Sequence, residues 1–96
     1  MKKQKLVRDK IPEIYGLQKR DVADDEEYLK ELLRKLQEEV DEFKQSHDTE
    51  ELADIIEVVY ALSEFYGVSI KDLERIRKEK AEKRGRFKKR LIWEQD

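Results

Sequence analysis

The chain of 96 residues has no cysteine, one proline, one histidine, one tryptophan and three glycines. Without thiols it can form neither disulfides nor thiolate metal sites, and a reducing cytoplasm is the expected location. A single histidine argues against a di-iron bundle, which needs paired Glu-x-x-His motifs. That residue, His47, falls in a turn and reads as an ordinary exposed side chain. No apolar run approaches the roughly 20 residues of a membrane span. The basic opening MKKQKLVRDK is not followed by the apolar core of a signal peptide. No membrane partner is expected.

What the chain has in abundance is charge. Charged residues make up 48% of it, 22 basic against 24 acidic, and the net charge is only −2. The signs are segregated: residues 21–57 are acidic and residues 71–90 basic. A near-neutral total does not favour a nucleic-acid partner. The length fits one domain with a modest core, which association with a second copy would enlarge.

Scarce glycine and proline leave long stretches free to be helical. Pro12 suits the first turn of a short helix, IPEIY, ended by Gly16, and residues 17–23 read as a linker. Asp24 or Asp25 offers an N-cap to a helix running to about Gln45, with Glu26 and Glu27 in its first turn. SHDT at 46–49 is a turn whose Thr49 can cap the next helix, expected to run to about Tyr66 and stop at Gly67. Ser69, with Asp72 three residues on, caps a last helix that ends at Gly85. The tail RFKKRLIWEQD loses helical period and reads as a short strand or an arm packing Phe87, Leu91, Ile92 and Trp93. The expected fold class is all-α.

Two of these helices carry acids where acids are costly. At about 100° per residue, Leu29, Leu32, Leu33, Val40 and Phe43 lie within about 60° of Leu36. Glu39 falls inside that stripe and Glu42 at its rim, while Glu38 and Asp41 point to the far side. The next helix is apolar over most of its circumference, through Leu52, Ile55, Ile56, Val58, Val59, Leu62 and Phe65. Such a helix is buried on several sides, so a partner subunit is expected to supply one of them. Glu51 lies within its apolar arc and Asp54 just beyond; Glu50, Glu57 and Glu64 occupy the polar remainder.

A short turn makes the two helices antiparallel neighbours, so Glu39 and Glu42 can face Glu51 and Asp54. Four converging carboxylates repel unless a cation sits among them. Ligation by oxygen alone points to a hard cation, Mg²⁺ or Mn²⁺. Glutamate beside leucine also recurs by chance in a chain this acidic, and the wheels alone leave a solvated helix face open.

EEVDE (38–42) followed by ELAD (51–54) resembles the EExxE…ExxD signature of the all-α, MazG-like nucleoside triphosphate pyrophosphohydrolases. KLVRDKIPEI (5–14) and KAEKRGRFKKRLI (80–92) resemble a smaller branch of that superfamily. The branch is described as house-cleaning or as phosphoribosyl-ATP pyrophosphohydrolase-like. The resemblance spans nearly the whole chain. It implies a MazG-like helical bundle completed by oligomerisation, as homodimer or tetramer. It also implies Mg²⁺-dependent cleavage of a nucleoside triphosphate between its α and β phosphates. Carried over by position, Glu39, Glu42, Glu51 and Asp54 become metal ligands and catalytic groups, with Glu38 behind them. Two departures stand out: Arg86 where the branch has a second glycine, and Ala61 where many relatives have asparagine.

An acidic site also needs cations for the triphosphate. Lys5, Arg8 and Lys10 near the N-terminus, and Lys80, Lys83, Arg84 and Arg86 late in the chain, are candidates. Arg8, Lys10, Lys80 and Arg84 are taken as the phosphate-binding set, and Asp9 pairs with a neighbouring base or joins the site. A different class of function is a helical dimer binding nucleic acid through the nine basic residues of 77–90, with Phe87 among them. A catalytically inert interaction module is a third.

Overall fold

The computed structural model describes residues 5–16 and 22–94, and within them every regular element is a helix. None is long and apolar enough to cross a membrane. The order is α1 (Ile11–Ile14), α2 (Asp25–Ser46), α3 (Thr49–Phe65) and α4 (Ile70–Arg84). Most of the linker read at 17–23 lies outside the described residues.

Local chemistry sets the boundaries. Pro12 opens α1, where its missing N–H costs nothing, and Gly16 ends the segment at φ 63°. Asp24 caps α2, its carboxylate accepting from the Glu27 N–H at 2.9 Å. The next cap falls one residue before its expected place: Asp48, not Thr49, accepts from the Glu50 N–H at 3.0 Å. Its carboxylate reaches the free N–H groups with the stronger, charged acceptor. His47 makes that turn possible by adopting a left-handed conformation, φ 56°.

The far end of α3 closes in a Schellman motif. Gly67, at φ 78°, donates to the Glu64 carbonyl and Val68 donates to the Ser63 carbonyl. The Ser63 hydroxyl donates in turn to the Val68 carbonyl at 2.8 Å. Ser69 then caps α4 by accepting from the Asp72 N–H. The Asp72 carboxylate faces Arg75 instead of completing a capping box.

Helices α2 and α3 form the body of the protein, packed antiparallel. Tyr28, early in α2, meets Phe65, the last residue of α3, edge to face at 5.9 Å. At the opposite end, Glu39 meets Glu51 and Asp54. Among the described residues only Leu32 and Val58 form a buried apolar core, with Pro12 buried beside α1's start. Helix α4 is largely solvated and carries its own Arg75–Glu79 and Arg77–Glu74 pairs.

The tail does not pack as expected. Phe87, Leu91, Ile92 and Trp93 are 84–97% exposed, and the described tail contains no strand. Helix α4 separates it from the small α2–α3 core, and it finds no apolar surface among the described residues.

Candidate metal centre

Among the described residues Glu39 is the one buried charged residue, 5% exposed. Its position inside the Leu32–Leu36 stripe of α2 turns it toward α3, where Glu51 and Asp54 sit one turn apart. Carboxylate oxygens of Glu39, Glu51 and Asp54 lie within 4.8 Å of one another. Oxygens sharing one Mg²⁺ at about 2.1 Å are at most about 4.2 Å apart. The three acids therefore stand within a small side-chain rotation of ligating separation.

Two carboxylate oxygens of these residues are anomalous for a folded protein. Oε2 of Glu39 and Oε2 of Glu51 are shut from solvent and receive no hydrogen bond. A bare, buried carboxylate oxygen is costly unless a proton or a cation meets it. The cost shows in Glu51, whose carboxyl is pushed up from 4.5 to about 7. Shielding from solvent is the larger cause, followed by the carboxylates of Glu42 and then Glu39. Glu51 as a residue is only half-buried, so the shielding is local to its inner oxygen. Glu42 is exposed and lies outside the tight group of three, yet it stands close enough to act on Glu51.

Cations flank the acids. Arg8 donates to the Asp54 carboxylate at 2.5 Å, across 46 residues of sequence. Lys35 lies 3.3 Å from Glu39 Oε1 and 3.5 Å from Glu38 Oε1. Lys5 completes the chain at 2.8 Å from Glu38, and this contact holds the Glu38 carboxyl below its ordinary range. The N-terminal segment is thus tied to α2 by Lys5 and to α3 by Arg8.

A cleft of about 850 Å³ opens between this segment and the two helices. Arg8, Lys10, Lys35, Glu39 and Asp54 line its polar part, and Ile14, Tyr28 and Phe65 belong to its apolar part. Asp9 lines it too. Lys80 and Arg84 do not: they lie ten and fourteen residues along α4 from Ile70, about 15 and 21 Å of helix beyond it.

No protein-family model, curated protein or solved structure matches this chain. The chemistry of the site rests on its own geometry.

Sequence reasoning missed Lys35 and the lining role of Glu57 and Glu64. The signal for Lys35 was present: three and four residues before Glu38 and Glu39, a lysine must sit above both on a helix. Glu57 and Glu64 were assigned to a polar face, which they do occupy; that face turns toward the N-terminal segment and so borders the cleft.

Proposed function

We propose that the protein is a divalent-metal-dependent nucleotide pyrophosphohydrolase of the MazG-like, all-α kind. It would hydrolyse a nucleoside triphosphate between the α and β phosphates, taking up one water and releasing a monophosphate and pyrophosphate. The carrying observation is the pair of solvent-shielded oxygens without a donor on Glu39 and Glu51, two acids whose carboxylates cluster with that of Asp54.

Those residues fit a hard cation. Glu39, Glu51 and Asp54 would hold it, with Glu42 close enough to join. Oxygen-only donors favour Mg²⁺, with Mn²⁺ as a substitute. Bound there, such an ion supplies charge neutralisation at the phosphate oxygens and acidifies water. Glu38 acts from behind by holding Lys35. Arg8 and Lys10, both on the cleft wall, are the phosphate contacts within one chain. Lys80 and Arg84 would need another copy to bring them close. The apolar stretch at Tyr28 and Phe65 suits a base and sugar.

The active form is a homodimer or tetramer. Leu52 and Ile56, on the face of α3 turned away from the cleft, are 41% and 49% exposed. The chain exposes 9529 Å², against about 5,900 Å² for a compact monomer of this size. A standard interface needs only about 800 Å² per partner.

The basic, aromatic tail favours a second reading, as a single-strand nucleic-acid binder. Phe87 and Trp93 stand free of the fold among Lys88, Lys89 and Arg90.

A pyrophosphate-release screen decides between the two. Unmodified, deoxy, methylated and oxidised nucleoside triphosphates are offered with and without Mg²⁺. Mg²⁺-dependent pyrophosphate from any of them supports hydrolysis. No release, together with salt-sensitive oligonucleotide binding that ignores Mg²⁺, supports the second reading.

A further inference from the structure

The acidic centre is not bare: each wall already holds a cation of the chain's own. Arg8 occupies an oxygen of Asp54 at 2.5 Å, and Lys35 occupies Oε1 of Glu39 at 3.3 Å. Both also line the cleft. Oε2 of Glu39 and Oε2 of Glu51 are shut from solvent and receive no hydrogen bond from either cation. The cluster is thus compensated in part by side chains and in part by nothing.

Neither cation is fixed. The Arg8 side chain is 56% exposed and comes from a segment of irregular backbone. Lys35 has a second acceptor within reach in Glu38, which Lys5 holds from the other side. Leaving Glu39 therefore does not strand the Lys35 ammonium without a partner. The Arg8–Asp54 pair is exposed enough to be worth only about 0.2–1 kcal/mol; the Lys35–Glu39 pair is more buried, and its exchange relies on Glu38 as the second acceptor. A phosphate oxygen of a nucleotide is at least as good an acceptor as the carboxylate given up.

We propose that Arg8 and Lys35 are exchangeable counter-cations that couple metal and polyphosphate binding at the proposed centre. In the free protein they compete with a divalent ion for Asp54 and Glu39. When the ion arrives with a polyphosphate, both cations pass to phosphate oxygens and the competition becomes attraction. Free metal is then held weakly, and the metal–polyphosphate complex is held well. The acid cluster stays compensated at each stage, either by the two side chains or by the ion. Lys35 gains a substrate contact in this scheme, and Glu38 and Lys5 become its positioning residues. The inference rests on the metal reading of the site, but not on which base the nucleotide carries.

The test uses the full-length chain and two probes. Mn²⁺ alone is titrated by the paramagnetic resonance of the free ion. A preformed one-to-one complex of Mn²⁺ with inorganic tripolyphosphate, which has no base, is titrated by calorimetry. Arg8→Leu and Lys35→Met are compared with wild type and with Lys30→Met, an exposed lysine elsewhere on α2.

Each site variant is expected to bind Mn²⁺ alone about two- to fivefold more tightly, because a competing cation is gone. Each should bind the complex about tenfold more weakly. Lys35→Arg and Arg8→Lys should recover most of the second loss. Circular dichroism confirms folding, and either site can carry the test if the other variant unfolds. Affinities that move in the same direction for both probes overturn the proposal, as does an unchanged affinity for Mn²⁺ alone. A wild-type chain that binds Mn²⁺ alone but not the complex overturns it too. A wild-type chain that binds neither probe defeats the metal reading itself.

Discussion

Glu39 on α2 and Glu51 on α3 bring carboxylate oxygens within 4.8 Å of each other, and Oε2 of each is shut from solvent without a hydrogen-bond donor. Together with Asp54 they form a cluster whose charges are close and incompletely compensated. Repulsion of this kind is tolerated where a bound cation relieves it.

Removing charge without changing shape separates a metal centre from a solvated face. Glu39→Gln, Glu51→Gln and Asp54→Asn should each lower Mg²⁺-dependent turnover by about 100-fold or more. Without metal, Glu51→Gln should melt at a higher temperature than wild type, because two neighbouring carboxylates no longer repel it. Asp41→Asn is the control. Asp41 is exposed and, among the described residues, accepts only from Gln37, so its loss should shift stability by about 0.5 kcal/mol or less and leave turnover intact. Equal behaviour of Asp41→Asn and Asp54→Asn in both assays would point to a solvated face.

The raised carboxyl of Glu51 gives the metal-free protein a signed pH dependence. Its folded pKa, about 7, lies above the ordinary 4.5, so the fold holds this proton more tightly than the unfolded chain does. The stabilisation from this group is full below about pH 4.5 and is lost as pH rises toward 7. Metal-free stability, followed by chemical denaturation, should therefore fall across that window, and Glu51→Gln should flatten the slope. Because the ion must displace the same proton, Mg²⁺ affinity should rise over the same range and level off above pH 7.

The exposed face of α3 sets an assembly prediction. Sedimentation at micromolar concentration should give a dimer or tetramer. Ile56→Asp places a charge on that face and should shift the chain toward monomer, with a lower melting temperature. A wild-type chain that sediments as a stable monomer removes the proposed assembly.

The helices were legible because they depend on local chemistry. Asp24, Ser69, Gly67 and Gly85 act within one turn of their own positions. The inward direction of Glu39 follows from the 3.6-residue period, and Glu51 and Asp54 follow from the antiparallel turn at His47. The position of the N-terminal segment was not legible. It depends on contacts such as Arg8 with Asp54, which local periodicity does not encode. That contact makes the cleft, and with it the lining roles of Glu57, Glu64 and Lys35. The tail was misread for a related reason. Phe87, Leu91, Ile92 and Trp93 suggested an arm that packs, but no surface among the described residues receives them.

The central claim is that this cluster binds a divalent cation. It is tested most directly by the melting temperature of wild type and of Glu39→Gln/Asp54→Asn across a Mg²⁺ series at pH 7.5, with ionic strength held constant by sodium salt. Wild type should rise with the logarithm of free Mg²⁺ once this exceeds the dissociation constant, reaching about 2.7 kcal/mol of added stability at a hundred times that constant. The double variant should stay flat. A flat wild-type curve, or an equal rise in both proteins, would contradict the account.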